Sequence, residues 1–483
     1  MIQFDNTYEN LPETFYNKSG SIKFSNPQLI AYNDQYAKDV LGINLDSLSK
    51  DELADLFSGQ VIPHGASSIA FAYAGHQFGG FSPQLGDGRA LLLGEVVSPG
   101  KKRFDIHFKG TGPTVYSRNG DGMSALGPVI REYIVSEAMF HLNVPTTRAL
   151  AAVRTGDNVF RETKLPGGVF TRVAASHIRI GTFEYFAARK DIEGLKALVD
   201  YTINRHYPEI NKSKNKELNK YLLLLSSVAS AQSMLIAHWM SLGFIHGVMN
   251  TDNMAISGET IDFGPCAFMD NFSQTKTFSS IDNQGRYAYN NQIPVGIWNL
   301  FRLADCIVPL IDPDFKRAVN IVEESVESYL DIYENNWLDK MTDKLGIFVH
   351  KTEDKNLIDL WLKYLEGEDL DFTNSFRLLG NSPEQLKPSP LLEIFLKEWK
   401  ERLAEQNFDE VKVKNHMNSV NPVFIPRNHQ VEKAIQGAIL EDYTIFEQLN
   451  EVLKNPFLEQ PEFEKFKVPP LPEERITETF CGT

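Results

Sequence analysis

The chain has 483 residues, 42% of them hydrophobic, and a mean hydropathy of −0.27, which suits a globular protein large enough for two or three domains. Its formal net charge is −15, so broad binding of nucleic acid or of anionic membranes, which needs a basic surface, is not expected. This charge does not exclude a local basic pocket.

The N-terminal residues and the cysteines favour a cytoplasmic protein without a membrane span. Residues 1–5 lack the basic region and the apolar core that open a signal peptide. The longest apolar runs, such as residues 221–225, are too short to cross a bilayer. The three cysteines, Cys266, Cys306 and Cys481, do not make the framework of a disulfide-rich secreted domain.

The first part of the chain, up to about residue 180, is predicted to be rich in strands. A helical pattern opens at residues 27–32, and Ser49 followed by Glu52 is typical of a capped helix start. Residues 73–94 are rich in glycine, which indicates a loop that allows close backbone approach. We expect strands at residues 89–93, 104–109, 149–153 and 168–173, and a helix at residues 128–138 with proline in its first turn.

From about residue 183 onward the pattern is mainly helical. Residues 221–242 form a long apolar run that predicts a buried helix ending at Gly243. Residues 461–483 are rich in proline and glutamate without periodicity, which indicates an extended tail on the surface. Further helices are expected at residues 294–309, 315–333, 353–366, 391–406 and 430–454.

One stretch carries the strongest chemical signal. A polar loop runs from His246 to Asn253, and an Asp-Phe-Gly tripeptide begins nine residues later at Asp262. Two short β-like runs, at residues 254–256 and 260–261, lie between them. An apolar helix, such a loop, a strand pair and Asp-Phe-Gly are the layout of the catalytic and metal-binding loops of protein kinases.

Asp262 and Asn253 are predicted to hold Mg²⁺ against phosphate oxygens. The carboxylate supplies one oxygen ligand, and the asparagine amide supplies a second, neutral one. The alternative is a turn without a function, since Asp and Gly are common in turns. Val248 stands two residues after His246, where a kinase carries its catalytic base.

Lys109 is predicted to contact nucleotide phosphates. It ends a strand in which polar and apolar residues alternate, and Glu132 lies on the helix that follows. A lysine held by a carboxylate can act as a fixed cation for phosphate. Glu137 is an alternative partner, and the sequence does not choose between the two. Solvated side chains at all these positions are the other interpretation.

Two glycine-rich loops and two arginines complete the candidate phosphate site. Backbone N–H groups of a glycine-rich turn can bind phosphate, and paired guanidinium groups can hold it with two hydrogen bonds each. Plain turns and local ion pairs are the alternatives. The residues concerned are Gly86, Gly88, Arg89, Asp121, Gly122, Arg172 and Arg179.

We interpret the histidines as structural. His64, His76, His107 and His177 lack the spacing of metal ligands, so they are expected in loops or in the core. His246 is expected to pack within its loop and to hydrogen-bond the backbone. No zinc, Rossmann or Gly-x-Ser-x-Gly fingerprint stands out.

Six motifs together resemble the selenoprotein O family, also called the YdiU family, whose members are protein adenylyltransferases with a pseudokinase fold. The motifs are long, they stand in the order of the family, and the resemblance extends over nearly the whole chain. It is therefore far more specific than a kinase-like tripeptide. The motifs cover residues 75–79, 84–89, 107–112, 116–122, 176–179 and 246–253.

The resemblance implies an α+β fold with two lobes like those of a protein kinase. We expect a β-rich N-lobe and a larger helical C-lobe, together with N- and C-terminal extensions that are specific to the family. The expected division is residues 1–180 for the N-lobe with its extension, 181–405 for the C-lobe, and 406–483 for the C-terminal helical extension and tail.

The resemblance also implies a reaction. ATP binds in the opposite direction to that in ordinary kinases, AMP passes to a Ser, Thr or Tyr hydroxyl of a protein, and pyrophosphate leaves. By motif matching, Asp252 accepts the proton, Asn253 and Asp262 hold Mg²⁺, and Lys109 pairs with Glu132 while it contacts phosphate. Asp262 and the residues of the candidate phosphate site line the nucleotide. UTP as donor and Mn²⁺ as metal are alternatives, redox proteins are candidate substrates, and a monomer is expected.

The same resemblance implies a role for two of the cysteines. The selenocysteine of the family stands third from the C-terminus, where this chain has Cys481. Some bacterial members form a disulfide between that position and the activation segment, which restrains activity. Cys266 lies in this segment, although earlier than the partner cysteine of the family. We hypothesise a redox-controlled disulfide between Cys266 and Cys481; the alternative is a buried thiol at 266 and a free thiol at 481.

Two other functions stay open on the sequence. One is γ-phosphoryl transfer, for instance to a small molecule, and the other is a non-catalytic pseudokinase scaffold. Val248 favours the scaffold. The presence of Lys109, Asp252, Asn253 and Asp262 opposes it.

Overall fold

A computed structural model of the protein describes residues 2–212 and 219–480. Its strands are β1 (Tyr16–Lys18), β2 (Gln28–Tyr32), β3 (Ile69–Phe71), β4 (Gly75–Gln77), β5 (Gly80–Ser82), β6 (Ala90–Val97), β7 (Arg103–Lys109), β8 (Ser124–Ala125), β9 (Arg148–Phe160), β10 (Lys164–Ala174), β11 (Phe244–Ile245) and β12 (Ala267–Phe268). Eight of them form one sheet in the order β1-β3-β6-β7-β10-β9-β2, with β8 paired to β10. Its paired strands run antiparallel. The N-terminal region is therefore built on a sheet, as predicted.

Helices dominate the rest of the described chain. The helices are α1 (Asp34–Tyr36), α2 (Lys50–Phe57), α3 (Leu126–His141), α4 (Ile180–Ala188), α5 (Ile192–His206), α6 (Glu209–Lys212), α7 (Lys220–Ser241), α8 (Gln292–Ile311), α9 (Phe315–Lys344), α10 (Asp354–Gly367), α11 (Phe372–Asn381), α12 (Pro390–Ala404), α13 (Glu410–Val420), α14 (Asn428–Ile439) and α15 (Thr444–Val452). The fold is thus a mixed α+β fold, which confirms the predicted class.

The central strand β7 is buried on both faces. Ile106 and Phe108 pack in the sheet core, and their polar neighbours Asp105 and His107 are buried as well. His107 stacks on His177 with ring centroids 4.1 Å apart. The alternation predicted for this strand is present, but its polar face lies inside the protein and leads to Lys109 at the end of the strand.

Helix α7 holds the loop that carries the strongest sequence signal. Trp239 is buried and donates its Nε1–H to Thr260 Oγ1 at 2.9 Å, and Gln232 Nε2 donates to the carbonyl of Ala255 at 2.6 Å. His246 contacts the carbonyl of Ile261 through Nε2 at 2.9 Å. Because these buried hydrogen bonds are shielded from water, they fix the backbone between residues 246 and 262.

The C-terminal helices return to the N-terminal sheet region. Helices α14 and α15 pack against α3, where the rings of Tyr133 and Phe446 lie 5.3 Å apart. Phe170 of β10 belongs to the same apolar cluster. The C-terminal helices therefore join α3 and the sheet in one apolar cluster.

One helix prediction is wrong, and a second is confirmed with one interruption. Residues 28–32 form the edge strand β2, because they pair with β9 and this pairing overrides the local helical pattern. Residues 430–454 form two helices rather than one. The left-handed backbone of Glu441, with φ of 65°, follows the end of α14, and Asp442 accepts from Thr444 N at 2.9 Å where α15 begins. Helices α11 and α13 were not predicted.

The predicted strand pair between Asn253 and Asp262 is also wrong. Ala255 and Thr260 make isolated bridges to Arg179 and Thr146 instead of a ladder. The two-stranded pair at this site is formed by β11 and β12, which flank the loop on both sides.

The expectation of a tail on the surface is wrong for two of its described residues. Phe466 and Thr479 are buried. Thr479 donates its N–H to the carbonyl of Phe278 at 2.6 Å and its hydroxyl to the carbonyl of Pro265 at 2.5 Å. The tail thus contacts the segment that follows Asp-Phe-Gly. Cys481 lies outside the described residues.

Two stretches are long and apolar enough to cross a membrane by length and composition. They are α7 and Tyr289–Ile311, which contains α8, with 56% and 50% of the most apolar window buried inside the protein. The sequence estimate from short apolar runs missed them. Core helices of globular proteins pass the same test, so this finding is weak support for a membrane span.

Arg427 gives a test of how the C-terminal region is held. Its side chain is fully buried and lies 2.5 Å from Asp270 and 2.8 Å from Asp371. Arg427→Leu is expected to lower the free energy of unfolding by about 3–5 kcal/mol, because both carboxylates lose their cation. Urea denaturation measures this. Lys433→Leu, which removes the more exposed pair with Glu474, is the control and should cost less than about 1 kcal/mol; equal losses would contradict the account.

Candidate active site

The predicted site residues converge on one cleft between the sheet region and the helical region. Its volume is about 880 Å³, which is of the size that accommodates a small-molecule ligand. Tyr116, Phe160 and Ile281 add apolar walls. The predicted residues along its wall are Gly86, Gly88, Arg89, Lys109, Asp121, Gly122, Arg172, Arg179, Asp252, Asn253 and Asp262.

The centre of the cleft is the carboxylate of Asp262. Lys109 Nζ and Arg172 Nη1 each lie 2.8 Å from its Oδ1, and Arg179 Nη2 lies 3.5 Å from its Oδ2. Partial burial by itself would raise the pKa of Asp262, but the three cations outweigh it and hold the pKa well below its ordinary value. Asp262 is therefore ionised, and it gathers three positive charges in one place.

Lys109 reaches this centre because β7 ends there. Its Nζ also forms an ion pair with Glu132 of α3. Glu137, the alternative that the sequence left open, is occupied elsewhere, since Arg148 Nη2 lies 2.7 Å from its Oε2. The geometry thus decides between the two glutamates in favour of Glu132.

A buried relay of hydrogen bonds orients the two arginines. Arg172 Nε donates to His107 Nδ1 at 3.3 Å, so His107 carries its proton on Nε2 and donates it to Asp87 at 3.1 Å. Burial lowers the pKa of His107, which keeps the ring neutral and able to accept. Asp87 also lies 3.4 Å from Arg179. Sequence reasoning missed Asp87 and His107, although Asp87 stands between the two loop glycines and His107 shares the polar face of β7.

The first glycine-rich loop is packed too tightly for side chains. Gly86 has φ of +71°, and a Cβ there would lie 2.3 Å from the ring of Tyr116. A Cβ on Gly88 would lie 2.9 Å from the carbonyl of Tyr116. Next to this loop, Arg89 Nη1 is buried without a hydrogen-bond partner among the described residues. A buried, unpaired guanidinium N–H that faces a cleft is suited to an anionic ligand.

The second glycine-rich loop is held by an ion pair. Asp121 lies 2.8 Å from Arg161 and accepts from Met123 N at 2.9 Å. Gly122 has φ of +65° and receives the N–H of Gly112 at 3.0 Å through its carbonyl. Arg161, which the sequence did not single out, therefore adds a further cation to the cleft wall.

Asp252 is buried at the bottom of the cleft. Its Oδ2 accepts from Gln77 Nε2 at 3.2 Å, and its Oδ1 has no partner among the described residues. Burial raises the pKa of Asp252 to about 7, and the positive charge of Arg179 opposes this only in part. Val248 is buried beside it and offers its carbonyl to Asn253 Nδ2 at 2.9 Å.

The residues fit a divalent metal ion that is shared with a ligand. The Val248 carbonyl takes the NH₂ group of Asn253, which leaves the amide oxygen as the free ligand atom. Asp262 supplies an ionised carboxylate in the same cleft. No group of three or more His, Cys, Asp or Glu side chains suited to a metal occurs among the described residues. Mg²⁺ often takes one or two protein ligands and completes its shell with phosphate and water.

Comparison with known proteins identifies the family. The model of a protein family described as "Protein adenylyltransferase SelO" matches residues 1–454. The chain belongs to the selenoprotein O (SelO) family. It is 49% identical over 492 residues to the "Protein nucleotidyltransferase YdiU" of Agrobacterium fabrum, which covers 100% of both chains. The proteins of that name from Rhizobium meliloti and Bacillus cereus are 50% and 49% identical, over 100% and 99% of this chain and 99% and 98% of their own length.

Membership in the SelO family makes the chain an enzyme of the nucleotidyltransferase class. The interpretation as a non-catalytic scaffold is thereby set aside. The six motifs that suggested the family all lie within the matched residues.

Gly86 gives a test of the cleft. Gly86→Ala would force the Tyr116 ring away, and overpacking of this kind costs about 1–3 kcal/mol. We expect ATP affinity, measured by calorimetry, to fall about tenfold or more. Gly100→Ala is the matched control. A Cβ at this position would lie 3.7 Å from Ser98 Oγ, which is an ordinary contact distance, and the backbone there is not left-handed. Unchanged affinity in Gly86→Ala would mean that this loop does not bind the nucleotide.

Proposed function

We propose that this enzyme transfers AMP from ATP to a Ser, Thr or Tyr hydroxyl of another protein and releases pyrophosphate. The observation that carries the proposal is the convergence of Lys109, Arg172 and Arg179 on Asp262 within the cleft. Fixed cations in a partly water-excluded site can neutralise a polyphosphate and stabilise the charge that develops when it reacts. Family membership supports the adenylyl group as the one transferred.

In the proposed reaction, Asp252 accepts the proton of the acceptor hydroxyl. The hydroxyl oxygen then forms a bond to the α-phosphorus of ATP, and the bond from that phosphorus to the oxygen bridging to the β-phosphate breaks. Lys109, Arg172 and Arg179 hold the phosphates, and the departing pyrophosphate keeps the electron pair of the broken bond. Asp252 is suited to the base role, because its burial raises its pKa to about 7.

The direction of ATP in the cleft is part of the proposal. In a kinase the base stands two residues after the loop histidine, and here that residue is Val248, which cannot accept a proton. The carboxylate nearest in the chain is Asp252, four residues later. A nucleotide lying in the opposite direction would bring its α-phosphate, rather than its γ-phosphate, to this carboxylate.

Mg²⁺, with Mn²⁺ as the alternative, would be held by Asn253 and Asp262 and would neutralise phosphate charge. The protein side chains bind and orient the nucleotide around it. We further propose that the sheet region and the helical region correspond to the N-lobe and C-lobe of a kinase-like fold. Redox proteins as substrates, a monomeric state and a cytoplasmic location belong to the same proposal.

The reaction is tested with ATP that carries its label on either the α- or the γ-phosphate. We expect protein labelling from the α position and none from the γ position, together with loss of labelling in Asp262→Asn because the cations lose their anchor. Asp39→Asn, an exposed residue far along the chain from the site, is the control and should label as the wild type does. Labelling from the γ position alone would establish phosphoryl transfer and refute AMP transfer.

The redox hypothesis has its own test. Thr479, two residues before Cys481, donates to the carbonyl of Pro265, the neighbour of Cys266, so the described part of the tail approaches the segment in question. We expect oxidation to lower the AMP-transfer rate of the wild type and reduction to restore it, whereas Cys481→Ala stays active in both states. Cys306→Ala, at a buried position on α8, is the control and should respond like the wild type. Redox sensitivity that persists in Cys481→Ala would refute control by that thiol.

A further inference from the structure

The hairpin of β4 and β5 lies directly on the loop that contains Asp252. Its strands pair from Gly75 with Ser82 to Gln77 with Gly80. Phe78 and Gly79 form the turn, and both have left-handed φ values of 51° and 85°, as a tight two-residue hairpin requires. The motif at residues 75–79 helped to indicate the family, but none of the roles described so far explains it.

Three successive residues of the hairpin bond to three successive residues of the loop. His76 N donates to Thr251 Oγ1 at 2.7 Å, and Phe78 N donates to Asn250 Oδ1 at 3.1 Å. Between them, Gln77 Nε2 donates to Asp252 Oδ2 at 3.2 Å. These contacts join parts of the chain that are more than 170 residues apart, so the hairpin fixes the loop through tertiary contacts.

Gly75 sets how closely the hairpin approaches. A Cβ at this position would lie 2.6 Å from Asp252 Oδ1 and 3.0 Å from its Cγ. No Cβ is accommodated at such distances, so the first residue of the hairpin has to be glycine for the carboxylate to keep its position. Backbone on one side and the Gln77 amide on the other therefore confine the Asp252 side chain.

Helix α4 also holds the hairpin against the loop. Glu184 accepts from the Thr251 hydroxyl at 2.5 Å and contacts His76 Nδ1, so one carboxylate joins the loop to the hairpin. Gly181, in the first turn of α4, lies close to the residue before the hairpin and to the loop. A Cβ there would lie 2.2 Å from the carbonyl of Ala74 and 3.3 Å from Asp252 Cα. The hairpin is thus held rigidly and can in turn hold Asp252.

We propose that Gln77 is a positioning residue for AMP transfer, acting through the Asp252 carboxylate. This inference rests on the proposed function, in which Asp252 accepts the proton of the acceptor hydroxyl. The Gln77 amide donates to Oδ2 and so fixes the rotation of the carboxylate. Oδ1 is buried against the backbone of Gly75 and has no hydrogen-bond partner among the described residues, so the Gln77 amide is what sets the orientation of the carboxylate. An amide donor can orient the base without competing for the proton, because an amide NH₂ does not accept one.

The contact predicts a specific kinetic signature. Gln77→Leu keeps the approximate size of the side chain and removes the donor. Hydrogen bonds to charged groups are strong enough that kcat should fall about tenfold to a hundredfold. ATP affinity should be unchanged, since Gln77 contacts the base and not the cations that hold phosphate. Gln84→Leu is the matched control, because Gln84 is exposed and accepts from Arg189 at 3.4 Å; it should keep the wild-type kcat.

A double-mutant cycle separates positioning from general damage. Kinetics with α-labelled ATP are measured for Gln77→Leu, Asp252→Asn and the double variant. If Gln77 acts through Asp252, the double variant loses no more activity than Asp252→Asn alone. Losses that multiply, or a Gln77→Leu variant with weakened ATP affinity, would show a merely structural role and overturn the inference, as would a wild-type kcat in Gln77→Leu. If Gln77→Leu does not fold, Gln77→Asn, which withdraws the donor by one methylene, takes its place.

Failure of the proposed function gives a different result. If wild-type protein transfers no α-label, or if Asp252→Asn is fully active, the assignment of the reaction or of its base is wrong whatever Gln77 does. If the wild type transfers the label and Asp252→Asn is inactive, while Gln77→Leu equals the Gln84→Leu control, only the positioning role is wrong.

Discussion

The structure of the site depends on the ion pairs that the carboxylate of Asp262 makes with Lys109, Arg172 and Arg179. Each cation comes from a different element: the end of β7, the last part of β10, and the residue that precedes α4. Removing one partner of a buried ion pair leaves the other uncompensated, which is strongly destabilising. These ion pairs therefore fix the position of the sheet region relative to the helical region at the cleft.

The same ion pairs indicate how the cleft would bind a nucleotide. Asp262 faces three cations, of which Lys109 also pairs with Glu132 and Arg179 with Asp87. Arg89 Nη1 lies in the same cleft without a hydrogen-bond partner among the described residues. On the proposed function, phosphate groups compete with these carboxylates and take over part of the hydrogen bonding to the cations. Asp262 then becomes available to a metal ion, and Asn253 already presents its amide oxygen. On the proposed function, the chemistry thus depends on fixed charges, with Asp252 as the side chain that exchanges a proton.

Much of the site could be predicted from the sequence, because its motifs are local. The Asp-Phe-Gly tripeptide, the lysine that ends β7 and the glycine-rich loops each follow from residues that are close in the chain. What the sequence could not give were contacts between distant segments. The choice of Glu132 over Glu137 depends on how α3 packs on the sheet. The contacts of Asp87, His107 and Gln77 form only because β4, β7 and the turn before β6 meet segments that are distant in the chain.

The prediction of the fold from the sequence was limited in the same way. Long apolar or alternating runs such as α7 and β7 were predicted, because their residue patterns have the length or the period of a helix or a strand. The errors lie where tertiary pairing overrides local pattern, as in β2 against β9, or where a single left-handed residue divides a helix, as at Glu441. The buried tail residue Thr479 belongs to the same class, because its partner segment lies about two hundred residues earlier.

The direction of the nucleotide is the central claim, and a structure with a non-hydrolysable ATP analogue and Mg²⁺ tests it most directly. The account predicts that the α-phosphate is the phosphate nearest to the Asp252 carboxylate, with the metal between Asn253, Asp262 and phosphate oxygens. A γ-phosphate nearest to Asp252, with the α-phosphate farther along the cleft, would contradict it.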